Sequence, residues 1–374
     1  MRRNANRSTT RRVRAALSAA VAACAVTVAL PAPASAGTTA EAGAAGARGA
    51  GVERISVAAD GTQADDNSGG ASITHDGRRI VFSSSAKNLT PDATTGGERV
   101  FLRDQRTRQN ERMGNLAPLQ PPVISGDGAY LGYAHQWMDN VRIRQYQVST
   151  GRTASLDCSA YTCDQPSLSA DGRYTAHVIR SIRQPSFGQR IEVQDWNNGS
   201  RNETVAVLDH TQPSRPSISG DGRHVAYQDG RTKDVLVWDR SDGTTSDPIE
   251  GPSKEATVVQ LSDDGRKVVY LSGSDTYVHD MSSGTAQLVP NVRGVAIDPT
   301  GRHLLYAPHD TNGPSLILRD LQAGTDETVS NQPASAGTDA VSAEGRDVVF
   351  QSTADDIVPG DTNGKSDVFV RSFY

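Results

Sequence analysis

Seven glycines, Gly77, Gly128, Gly172, Gly222, Gly265, Gly301 and Gly345, stand in one recurring local text, and that recurrence constrains the fold more than any other feature of the chain. Ser169-Ala170-Asp171-Gly172-Arg173 and Ser219-Gly220-Asp221-Gly222-Arg223 are typical copies; Asp298-Pro299-Thr300-Gly301-Arg302 and Ser342-Ala343-Glu344-Gly345-Arg346 depart furthest. Successive glycines are 51, 44, 50, 43, 36 and 44 residues apart, the length of a four-stranded propeller blade and too long for leucine-rich or hexapeptide solenoids. Asp-Gly between two apolar runs marks a hairpin, because both residues tolerate the positive φ of a tight turn. The expected fold is all-β: a seven-bladed β-propeller of four-stranded antiparallel blades, each repeat turn joining the first and second strands.

Two further columns keep this register. Five residues past each glycine stand Phe82, Tyr133, His177, Tyr227, Tyr270, Tyr306 and Phe350, although aromatics are only 5% of the chain. Rings at one register predict a repeated buried contact between sheets, each contributing about 1.5–3 kcal/mol. Third strands alternate in the same way, as in Val100 and Leu102, Ile191 and Val193, and Val368 and Val370. Four of them end in Asp-x-x-x-Gly turns, Asp195 to Gly199, Asp239 to Gly243, Asp280 to Gly284 and Asp320 to Gly324. The seventh unit ends at Tyr374 after its third strand, while Glu53 to Val57 reads as a fourth strand with no blade of its own. Residues 53–57 are therefore expected beside Asp367 to Arg371, closing the ring and covering an exposed edge.

Upstream, residues 1–36 read as a signal peptide: six arginines, an apolar stretch from Ala15 to Leu30, and Ala34-Ser35-Ala36 before Gly37. The chain is thus expected to be secreted, extracellular or periplasmic, with residues 37–51 a flexible linker and 52–374 the propeller. Val21-Ala22-Ala23-Cys24 loosely matches a lipid-attachment motif, and Arg11-Arg12 a twin-arginine signal. Cleavage removes six of 38 basic residues and no acid, leaving 32 against 43 acidic and a net charge of −11. That sign argues against nucleic acid and anionic lipid as partners. A monomer without a membrane span is expected, and no membrane or signalling segment follows Tyr374 to suggest a receptor sensor. Cys158 and Cys163 read as a local disulfide in an oxidising compartment. With no His or Cys close by in sequence, they are not expected to hold zinc.

These repeats resemble the TolB-type, WD40-like (PD40) bacterial propellers, over residues 53–374. The resemblance implies an exported protein that holds other proteins or ligands, although the separate N-terminal α/β domain of TolB has no counterpart here. True WD40 blades are excluded because Trp238-Asp239 occurs once, and sialidase Asp-boxes because they place a residue between Asp and Gly.

For chemistry the sequence offers little. His224 and His303, two residues past their glycines, are expected on a solvent-facing position, and His177 in the core column. His75, His135, His210, His279 and His309 show no metal-ligand spacing, and no Gly-x-Ser-x-Gly elbow occurs. Asp361, Asn363 and Asp367 could wrap a calcium ion, although the chelating glutamate is missing; an Asx-rich turn is the plainer reading, and no other cofactor is expected. Long links between second and third strands (Ser84 to Glu98, Ser181 to Arg190, Pro308 to Ser315, Ser352 to Asp367) share one face, where a protein, peptide or glycan is expected to bind. The expected function is a binding scaffold with no catalytic residues. The rival is a propeller enzyme, a lyase or hydrolase of polysaccharide or lactone, recognisable by carboxylates or histidines converging on the axis. First-strand positions, mostly Ser, Ile, Leu and Val with Asp298 the exception, speak against that rival.

Overall fold

The computed structural model describes residues 50–374, apart from 94–95, 157, 159–160, 182–188, 200–201, 209–215 and 311. The expected signal peptide, Cys24, nearly all of the linker and His210 lie outside the described residues. What is described forms seven antiparallel sheets in sequence order. Blade one runs Ser68–Ile73, Arg79–Ser84, Arg99–Asp104, Gln109–Arg112, and blades two to six repeat that order. Blade seven joins Asp347–Ser352 to Asp367–Ser372 and is completed outside by Gly51–Arg54. Its inner strand is reduced to two bridges, Ser335 with Gln351 and Val341 with Val348.

Closure by the N-terminal segment holds, in the register Glu53 opposite Val370. The strand lies at 51–54 rather than 53–57: Ile55 N still bonds Val368 O at 2.9 Å, but Val57 turns away to bridge Gln63. Gly51, placed by sequence in the linker, is already in strand.

The seams between blades form the core. Val81, Val100 and Leu102 of blade one pack with Ile124, Leu131 and Tyr133 of blade two, while Ile80, Phe82 and Phe101 face Val349, Val368 and Val370 of blade seven. Alternation along each strand thus serves two neighbours at once. All seven members of the predicted column are at most 5% exposed. In three blades the ring also stacks on its cross-strand partner, with centroids 5.7 Å apart for Phe82–Phe101, 5.2 Å for Tyr270–Tyr277 and 5.5 Å for Phe350–Phe369.

The repeat turn follows from its residues. In Ser219-Gly220-Asp221-Gly222, the Ser219 hydroxyl donates to Asp221 (2.6 Å) and accepts from His224 N (2.9 Å), and Asp221 accepts from Arg223 N (2.8 Å). Asp221 and Ser219 thereby satisfy the amides that a tight turn leaves unpaired. Gly222 takes φ +70°.

Candidate functional site

The seven repeat turns converge at one mouth of the axial channel, where their backbones join in a ring. His75 N bonds Gly126 O (3.0 Å), Asp127 N bonds Ala170 O (2.9 Å), Ala170 N bonds Gly220 O (2.8 Å), and Gly220 N bonds Asp263 O (2.9 Å). Asp263 N reaches Pro299 O (3.1 Å), and Ala343 N returns to His75 O (2.9 Å). Pro299 has no N–H to continue the series. There the buried Asp298 carboxylate takes over, accepting Glu344 N at 3.1 Å as well as the Thr300 hydroxyl at 2.6 Å. Burial works against ionising Asp298, but bonds from His303 and Thr300 and the His303 charge leave its carboxyl below the usual range.

Across this mouth, His75 Nε2 of blade one lies 2.7 Å from Asp263 Oδ2 of blade five. The two blades are not neighbours, so the pair bridges the axis. It fits because two of the three intervening turns have glycine at this position: a Cβ on Gly126 would lie 2.2 Å from the His75 ring, and one on Gly220 2.7 Å from Asp263 Oδ2. Burial lowers the imidazole pKa, but the bond and charge of Asp263, with the charges of Asp339 and Asp127, raise it above 6.5. Further along the axis, Gln260 Nε2 of blade five donates to Asp339 Oδ1 of blade seven at 2.8 Å, and Ile297 N bonds Gln260 Oε1 at 3.1 Å. Asp339 sits at φ +58°, a left-handed conformation that Asp tolerates at a cost. Histidine and carboxylates thus converge on the axis from the turns that follow the first strands, where the reading of the first-strand positions, with Asp298 as their exception, did not look. The residues responsible occupy the variable position of each repeat, where His75 and Asp263 look like substitutions without consequence.

The other mouth carries the long links. A cavity of about 480 Å³ there is lined by Asn67, Ser83, Gln120, Ser335 and Gln351 among others. A second, of about 430 Å³, includes Arg293 and Thr338, and the two share Ser335, Ala336 and Gly337. Thr338 is the chain neighbour of Asp339, so this wall continues into the axial groups.

Asp361, Asn363 and Asp367 do meet, around Arg54. Its Nη1 lies 3.4 Å from Asp361 Oδ1 and 3.5 Å from Asp367 Oδ2. Asn363 Nδ2 and the Ser56 hydroxyl donate to Asp367 at 2.8 and 2.5 Å. A calcium ion at these three residues would share its carboxylates with that guanidinium. Burial still pushes the Asp367 carboxyl above its ordinary pKa.

Cys158 and Cys163 are bonded, with Cα atoms 6.1 Å apart. Contrary to the sequence reading, a histidine is close: one ligating atom of His177 lies within 4.8 Å of both sulfurs. His177 is buried as predicted, which pulls its pKa down to about 4. His224 and His303 are only partly solvent-facing, their side chains 26% and 13% exposed. Each lies on the repeat glycine of the next blade, 2.7 Å from the place of a Cβ on Gly265 and Gly345. His135, His279 and His309 sit apart on blades two, five and six.

No protein-family sequence model matches the chain, and no curated protein matches it in sequence. Solved structures do match the fold. An oligogalacturonate lyase in complex with manganese superposes with TM-score 0.62 at 14% identity, over 87% of this chain and 94% of its own. An oligogalacturonate lyase from Vibrio parahaemolyticus gives 0.64 at 12% identity, over 86% and 93%. TolB from Acinetobacter baumannii gives 0.48 at 14% identity, over 70% and 62%. The shared property is the propeller fold. The expectation that the chain is not an enzyme is overturned by the two lyases: nearly their whole length superposes on this chain, so the fold it shares with them is one that enzymes use.

Proposed function

We propose that the chain is an exported propeller enzyme that cleaves a polysaccharide, best suited to β-elimination at a uronate residue, with His75 as the acid–base group. The observation that carries this reading is the His75–Asp263 pair, brought to the axis from non-neighbouring blades at 2.7 Å. Because Nε2–H donates to Asp263, the lone pair is left on Nδ1, the arrangement by which a carboxylate orients a histidine base. In the reaction, neutral His75 takes the proton next to the uronate carboxyl, the C–O bond to the leaving sugar breaks, and the imidazolium returns the proton to the departing oxygen. A raised pKa makes a stronger base near neutrality.

His75 and Asp263 stand at the repeat-turn mouth, opposite the long-loop mouth with its cavities and Arg293, so the substrate uronate has to be held at the repeat turns for its proton to meet His75. A manganese ion of the kind named for one structural neighbour does not fit the described residues. The cluster of three ligating side chains among them is Cys158, Cys163 and His177, a sulfur-rich set rather than the oxygen donors manganese prefers.

The test is turnover of polygalacturonate, alginate and neutral glycans, read as unsaturated uronate absorbance and as reducing ends. Elimination should rise with pH through a midpoint above 6.5, since neutral His75 is the base. His75→Gln should lose about 10²–10⁴-fold in kcat. Asp263→Asn should move the midpoint down toward 6.5. Products from none of these substrates, or an undiminished His75→Gln enzyme, would overturn the assignment.

A further inference from the structure

The predicted ring column is benzenoid in six blades and imidazole in one, and that one is the blade into which the disulfide between Cys158 and Cys163 runs. Cys158 follows the last strand of blade two, Thr153–Leu156, and Cys163 lies in the first strand of blade three, Tyr161–Leu168. Both sulfurs sit with Ile143, Leu156 and Ile179 in the seam between those blades, at 7% and 0% exposure. His177 enters the same seam fully buried. Its Nδ1 is 3.3 Å from Thr175 O, and a carbonyl only accepts, so Nδ1 carries the hydrogen. Nε2 is left with a bare lone pair and no hydrogen-bond partner among the described residues. A buried nitrogen in that state is costly to leave unmet, and a backbone carbonyl on the far nitrogen is how ligating histidines are oriented.

We infer that Cys158, Cys163 and His177 form a redox-gated zinc site: empty while the sulfurs are bonded to each other, and binding Zn²⁺ once a dithiol has opened the bond. Opening takes two electrons and two protons from the dithiol, which becomes a cyclic disulfide. Zinc then binds two thiolates and Nε2, releasing the two thiol protons, and keeps one coordination position for water. The inference is independent of the proposed reaction on the channel axis.

Cobalt reports such a site directly. Full-length mature protein, reduced anaerobically and freed of metal, should take up one equivalent of Co²⁺, with a sulfur-to-cobalt charge-transfer band that Zn²⁺ abolishes. The oxidised protein should give no band. His177→Phe restores the ring found in the other blades, so it should keep the wild-type melting curve when oxidised, yet bind Co²⁺ more than about tenfold more weakly when reduced. Absence of the band in reduced wild type, or equal affinity in His177→Phe, overturns the site. If that variant does not fold, His177→Gln serves in its place under the same criteria.

Discussion

At the repeat turns, each glycine does two things that no other residue does. Its φ lies between +65° and +74°, which disfavours any Cβ. It also lies under a side chain of the preceding blade: Tyr130 covers Gly172, Tyr174 covers Gly222, His224 covers Gly265, and Asp347 covers Gly77 to complete the circuit. A Cβ on Gly222 would fall 2.1 Å from the Tyr174 ring, whereas Gly243, at φ +72°, has nothing within 4 Å. The two therefore separate backbone strain from crowding. Gly243→Ala should cost about 1–2 kcal/mol from conformation alone. Gly222→Ala should cost about 3 kcal/mol or more, because overpacking at the seam is added. Urea unfolding of both variants checks the difference, and equal losses would remove the seam contact from the explanation.

Among the elements, the sixth turn departs most from the consensus and shows why its substitutions belong together. Pro299 interrupts the ring of turn amides, and Asp298, standing where the other turns have serine or threonine, reaches the next turn through Glu344 N. The same carboxylate accepts Arg302 N and His303 N, both at 2.7 Å. Asp298→Ala leaves these donors unmet in a buried place, at a cost of about 3 kcal/mol or more. Asp298→Ser should recover part of this, because Ser262 accepts the equivalent amide of Lys267 at 3.0 Å, but a hydroxyl on the shorter side chain does not also span to Glu344. Thermal melts should rank wild type above Asp298→Ser above Asp298→Ala; a Ser variant as stable as wild type would exclude the bridging role.

In the molecule as a whole, closure depends on a short segment from the far end of the chain. Gly51–Arg54 covers the outer edge of Asp367–Ser372, Arg54 sits between the buried Asp361 and Asp367, and Glu53 meets the buried Arg103 of blade one at 3.1 Å. Removing the segment exposes a strand edge and strands two buried carboxylates without their cation. A chain beginning at Ala50 should melt as one beginning at Gly37 does. One beginning at Ala58 should melt well below it and associate in gel filtration. Identical behaviour of the two would mean that closure contributes nothing.

How much of this could be read in advance follows from what repeats encode. Each blade meets its neighbours in the same way, so turns, ring column, third-strand alternation and the unfinished last blade are all written periodically, and the sequence by itself determined a closed seven-bladed wheel. Contacts that break the period were decided only in three dimensions. His75 and Asp263 are far apart in the chain and meet because the ring curves both turns toward one axis; Arg54 finds Asp361 and Asp367 because the N-terminal strand pairs with the last one, and His177 finds Cys158 and Cys163 because a seam brings separate segments together. Periodicity specifies what a residue shares with its equivalents, whereas the side-chain pairs on the axis and in the seam arise where one copy differs, and closure selects which differences face each other.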